Sequence, residues 1–156
     1  MDIFEEDVLQ FFEVLNKHAV KYILVGGVAV NCHGFSRSTG DVDLWIDDSV
    51  ENRKKLVAAL LERNIEGAEA FLTYPLLAGF AEIMLDNGIY IDLMSDLQFI
   101  KQNRFEACYQ LATTFKLNET IELRVIHVNA LIEEKEKSAR PKDKEDAEQL
   151  KKMHKK

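Results

Sequence analysis

Cysteine is scarce in this chain. Cys32 and Cys108 are the only two among 156 residues, too few for a disulfide framework. No apolar run approaches the roughly 20 residues of a membrane span, so a membrane partner is not expected. The opening residues Met1-Asp2-Ile3-Phe4-Glu5-Glu6-Asp7 are acidic and carry no secretion signal. Free thiols without such a signal point to a reducing cytoplasm. Positive charge is in deficit: the formal net charge is −7, which argues against a broad basic footprint for nucleic acid. Spaced transition-metal ligands are missing too. His33 has no second ligand at a suitable spacing and reads as a local structural contact, with Cys32 beside it packed rather than reactive. Repeats and low-complexity linkers are absent, so one domain over residues 1–156 is expected, with C-terminal helices from about residue 130.

The composition is that of an ordinary globular protein, 47% hydrophobic and 30% charged. Phe4, Val8, Leu9, Phe11, Phe12 and Leu15 recur at helical spacing within Asp2–Lys17. Tyr22–Val25 reads as a buried strand, Gly26-Gly27 breaks it, and Val28–His33 predicts a short helix. Gly34–Gly40 is a polar loop, Asp41–Ile46 a second strand, and Val50–Arg63 a helix capped by Asp47-Asp48-Ser49. Glu69–Leu77 is ambiguous because Pro75 limits any helix there. Phe80–Leu85 and Ile89–Met94 flank Asp86-Asn87-Gly88, a strong hairpin turn. A helix over Arg104–Leu111 precedes strands at Thr113–Leu117 and Ile121–Val128. Asn129 is the expected N-cap of a helix over Ala130–Ala139, and Pro141 opens a last helix toward Met153.

Three acids stand out against this frame. Strand side chains alternate, so Asp41 and Asp43 share one face while Val42, Leu44 and Ile46 share the other. Two residues of rise place these carboxylates about 7 Å apart. A divalent cation with oxygen ligands, Mg²⁺ above all, would relieve their repulsion. Trp45 falls on the same face, an odd choice for a side that meets solvent. Asp92 is the lone charge in the apolar strand Ile89–Met94 and therefore needs a partner. That partner is a backbone amide, an arginine such as Arg37, or the metal site itself. If the strands of Asp43 and Asp92 are neighbours, three carboxylates converge. Such a cluster suits two Mg²⁺ ions that clamp a nucleoside triphosphate and activate a hydroxyl. Gly26 and Gly27 follow a strand and open a helix, where glycine lets phosphate approach the backbone.

Gly26-Gly27, thirteen residues, then Asp41-Val42-Asp43-Leu44, then the lone Asp92, resemble the nucleotidyltransferase fold of the DNA polymerase beta superfamily. The fuller string from Gly26-Gly27 through His33-Gly34 to Arg37-Ser38-Thr39-Gly40-Asp41 is similar to its small prokaryotic branch, as is Lys135…Arg140-Pro141-Lys142-Asp143…Asp146. That branch contains minimal nucleotidyltransferases and the nucleotidyltransferase toxins of abortive-infection systems. The resemblance implies an α/β (α+β) fold: a short mixed sheet with helices mainly on one side. It implies that Asp41 and Asp43 hold both metals, and that Asp92 binds the catalytic metal and helps deprotonate the acceptor. Gly26 and Gly27 would contact the triphosphate. Ser36, Arg37 or Thr39 would touch phosphate, unless the loop is purely structural. Lys135 or Lys142 would neutralise phosphate charge, unless each belongs to a solvated helix face.

The expected activity is Mg²⁺-dependent transfer of a nucleoside monophosphate from a triphosphate such as ATP to a hydroxyl on a protein, RNA or small molecule. A toxin or antitoxin partner fits the same resemblance. Two rivals stand beside it. One is a non-catalytic binding module, an antitoxin-like partner of a helical toxin, touching it through Phe4, Phe11 or Phe12. The other is a metal-binding structural protein without turnover.

Overall fold

The computed structural model of the chain describes residues 5–154. In chain order its elements are α1 (Glu6–Lys17), β1 (Tyr22–Val25), α2 (Gly26–Cys32), β2 (Asp41–Ile46), α3 (Val50–Glu62), β3 (Glu82–Met84), β4 (Tyr90–Met94), α4 (Phe105–Leu111), β5 (Thr113–Lys116), β6 (Glu122–Val125), α5 (Val128–Glu136) and α6 (Pro141–Met153). The strands form one mixed sheet in the order β3-β4-β2-β1-β6-β5. The β1–β2, β3–β4 and β5–β6 pairs are antiparallel, and β1–β6 and β2–β4 are parallel. This is a mixed α/β fold of the α+β kind, the expected fold class.

Local chemistry accounts for most boundaries. α1 buries Val8, Phe11, Phe12 and Leu15, an i, i+3, i+4, i+7 stripe, and carries Glu6 and Asp7 in its first turn, where the helix dipole favours acids. The expectation that Phe11 and Phe12 offer an exposed contact is therefore corrected: both rings lie in the core, and Phe12 packs on Tyr22. Phe4, the third residue of that expected contact, lies outside the described residues. The Ser49 hydroxyl caps α3 by accepting the Asn52 N–H at 3.1 Å. α6 opens on Pro141 and buries Asp143, Asp146, Ala147 and Leu150.

Two helices start two residues earlier than the sequence expectation. α2 begins at Gly26 rather than Val28, because the left-handed φ of +68° at Gly26 turns the chain from strand into helix with no linker. α5 begins at Val128, and its cap is His127, whose Nδ1 accepts the Asn129 N–H at 3.1 Å. Asn129 thus sits inside the first turn. A ring nitrogen replaced the expected amide side chain as the capping acceptor.

β1 is buried along its whole length at the centre of the sheet. Val42, Leu44 and Ile46 bury one face of β2. On the other face, Trp45 is fully buried: its Nε1 donates to the Ser95 carbonyl at 2.8 Å and its ring meets Phe105 of α4 edge-on at 5.1 Å. The acid-bearing face is thus roofed by α4 at one end and stays open at the Asp41 end.

Candidate active site

The sheet brings the three acids together. Asp43 of β2 and Asp92 of β4 are direct partners in the parallel pair, so their side chains rise from the same face of strands about 4.8 Å apart. Asp41 lies two residues before Asp43 on that face, opposite Tyr90. β3 adds a fourth acid, because Glu82 pairs directly with Asp92. Glu82 was missed at the level of sequence, yet the turn signals it: folding the hairpin about Asn87 sets residue 82 opposite residue 92.

Electrostatics reflects this crowding. Burial first, then the charges of Asp92 and Asp41, push the Asp43 carboxyl up to about 6, while Lys135 and Arg37 pull against that rise. Asp92 is raised by burial, reinforced by Glu82 and Asp41 and opposed by a hydrogen bond from Gly79. The Gly79 N–H reaches both Asp92 oxygens, at 3.0 and 2.9 Å, so a backbone amide is the partner that this carboxylate finds.

Gly26 abuts the cluster. Val25 pairs with Asp43, and a Cβ built on Gly26 would lie 2.1 Å from Asp43 Oδ2, a separation that no side chain tolerates. Gly27 is pressed instead against the loop that leads into β2, where a Cβ would meet Thr39 Oγ1 at 2.6 Å and the Arg37 guanidinium at 3.2 Å. The Thr39 hydroxyl donates to the Asp41 carbonyl at 3.4 Å, which ties that loop to the start of β2. Ser36 is exposed.

Arg37 and Lys135 are already paired. Arg37 grips Asp146 with two bonds, Nε to Oδ1 at 2.8 Å and Nη2 to Oδ2 at 2.9 Å. Lys135 Nζ reaches Asp143 at 2.9 Å and Asp146 at 3.2 Å. Asp146 is 1% exposed, so this network is a buried clasp between the loop before β2 and helices α5 and α6. Against the upward push of burial, hydrogen bonds from Ser138 and Lys135 hold Asp143 below its ordinary value. Lys142 is exposed on the first turn of α6 and is not among the residues lining the cleft described next.

A cleft of about 190 Å³ lies between the acid face and the α5–α6 junction. Asp43, Gly26 and Val25 form one wall, and Glu134, Lys135, Ser138, Arg140 and Asp143 the other; of the three sheet acids only Asp43 lines it. Arg140 was not singled out in the sequence as a site residue. Its side chain is 70% exposed and its contact with Asp143 is loose at 3.8 Å, so its charge faces the rim. His33 is structural, its Nε2 bonded to the Ile126 carbonyl at 2.7 Å, and burial pushes the adjacent Cys32 thiol up to about 11.

No family model matches this chain, and no curated protein matches it either.

The donor chemistry of Asp41, Asp43 and Asp92, all carboxylate oxygens, suits a hard divalent cation such as Mg²⁺. As the side chains stand, no three Asp, Glu, His or Cys groups among the described residues gather in the manner of a metal centre. Asp92 in particular is engaged by Gly79. Among the described residues no helix is long and apolar enough to cross a membrane.

Proposed function

We propose that this chain is a Mg²⁺-dependent nucleotidyltransferase that moves a nucleoside monophosphate from a triphosphate to a hydroxyl acceptor and releases pyrophosphate. One observation carries the proposal: Asp41, Asp43 and Asp92 rise from one face of adjacent parallel strands, with Gly26 against Asp43. A carboxylate pushed up to about 6, by burial first and then by the charges of Asp92 and Asp41, is a cost that a purely structural sheet has no reason to keep. Mg²⁺, when bound, would neutralise the carboxylates and the phosphate oxygens and acidify the acceptor hydroxyl. Asp41 and Asp43 would hold both ions, and Asp92 would serve the catalytic one and draw the proton from the acceptor. The triphosphate would lie along Gly26 and the cleft wall of Lys135, Ser138 and Arg140. Arg37 acts through the clasp with Asp146, which sets the loop against Gly27.

The test is a thermal-shift panel of the four ribonucleoside triphosphates with and without Mg²⁺, followed by labelling from a radiolabelled triphosphate. Asp41→Ala should lose the Mg²⁺-dependent shift while retaining the parent's fold. Labelling by that variant at the parent rate would sink the catalytic role.

A second reading, a non-catalytic binding module, is favoured by the hydrogen bonds that already occupy Asp92. Calorimetry separates the two. A module of this kind shows no nucleotide binding in the presence of Mg²⁺.

A further inference from the structure

The sheet ends at β3, and among the described residues no strand pairs with its outer side. The ladder shows which backbone groups are left over. The Leu85 N–H donates to the Ile89 carbonyl and the Leu93 N–H to the Ala81 carbonyl, so Ala81 and Leu85 turn toward β4. Antiparallel pairing alternates, so Ile83, opposite Ile91, does the same. Glu82 and Met84 therefore hold their N–H and C=O groups outward, away from the sheet.

A groove of about 490 Å³ runs along this edge, lined by Glu66, Glu82, Asp86, Arg63, Ile65 and Phe71 among others. Glu66 and Asp86 stand there beside one cation, Arg63, while the Glu82 side chain shares the face of its partner Asp92; the Arg63 guanidinium donates to Gln10 Oε1 at 2.8 Å. Met84 on the same edge is 59% exposed. Unpaired strand backbone, an acidic wall and apolar side chains thus coincide.

We propose that this groove docks an extended, lysine- or arginine-bearing segment of another protein as an added strand on β3. The segment's backbone pairs with Glu82 and Met84, and its cations face Glu66 and Asp86. A second copy of this chain is the wrong occupant, since the net charge is −7 and the same acids would meet across the contact. Nucleic acid is disfavoured by the same wall, which repels phosphate. The surface borders the Asp41–Asp43–Asp92 cluster through Glu82, which the test variants leave unchanged, and the proposal stands whether or not the chain transfers nucleotides.

The probe is a short fluorescein-labelled peptide alternating Lys and Val, followed by fluorescence anisotropy against the full chain. Its controls are a Glu/Val peptide, the Lys/Val peptide N-methylated at every residue so that both edges are blocked, and a labelled oligouridylate. The parent should bind the Lys/Val peptide roughly tenfold or more tighter than either control peptide, because one loses the charge match and the other the backbone bonds. The double variant Glu66→Lys, Asp86→Lys should weaken binding about tenfold. Leu111→Ser, an exposed apolar change far along the chain, should leave it unchanged. Met84→Pro removes an outward donor and should weaken binding without opening the β3–β4 ladder. Should that variant fail to fold, the N-methylated peptide decides the same point. Equal binding of the N-methylated peptide, no effect of the double charge reversal, or tighter binding of oligouridylate would each overturn the proposal.

Discussion

Replacing Asp43 by Asn should stabilise the metal-free protein at neutral pH. In the folded chain the Asp43 carboxyl is pushed from its ordinary 3.8 up to about 6, chiefly by burial and then by Asp92 and Asp41. The folded state therefore holds this proton more tightly than the unfolded chain does. Its stabilising contribution is complete below about pH 4 and is lost as pH rises through about 6. A difference of about two units corresponds to roughly 3 kcal/mol at most. Asn keeps the shape of the side chain and never acquires the charge. The stability gap between Asp43→Asn and the parent should thus be near zero at about pH 4, widen between about pH 4 and 6, and level off above that. On a domain of this size it amounts to a rise of roughly 5–10 °C in Tm. Urea unfolding in EDTA across that pH range reads the gap directly. Saturating Mg²⁺ should narrow it by stabilising only the parent, since binding to the native state alone raises stability. A variant less stable than the parent at about pH 7.5, or a gap that ignores pH, would refute the electrostatic account.

Gly26→Ala should destabilise the chain by about 1–3 kcal/mol, because a left-handed φ and a 2.1 Å approach to Asp43 Oδ2 both oppose a Cβ; chemical denaturation measures it. Asp146→Ala should cost about 3–5 kcal/mol by leaving Arg37 and Lys135 without their shared carboxylate, and Asp146→Ala with Arg37→Ala together should cost less than the sum of the two. Cys32 should resist alkylation at neutral pH under native conditions, since its thiol is raised to about 11, and should react once the chain is unfolded in urea.

Much of the site was legible in the residues alone. Alternation along Asp41–Ile46 is a local geometric rule, so the shared face of Asp41 and Asp43 needed no knowledge of the rest of the chain. The turn at Asp86-Asn87-Gly88 sets the β3–β4 register in the same local way. Trp45 was a true signal on the acid face, although only the packing of Phe105 explains how an indole can sit there. Periodicity likewise located α1. It was the wrong guide to Phe11 and Phe12 as an exposed contact, because an apolar stripe at helical spacing is first of all the side that faces the core.

What the residues determined by themselves, then, was the direction of each side chain within its own element, since backbone geometry repeats every few residues. Which elements lie side by side was decided only in three dimensions. The parallel pairing of β2 with β4 joins segments about fifty residues apart, and it alone carries Asp92 to Asp43. The fate of Lys135 was decided in the same way: its charge reads as available along the chain, yet folding buries it against Asp143 and Asp146. Burial makes an unpaired charge costly, so once α5 and α6 pack together the nearest carboxylates claim the cation.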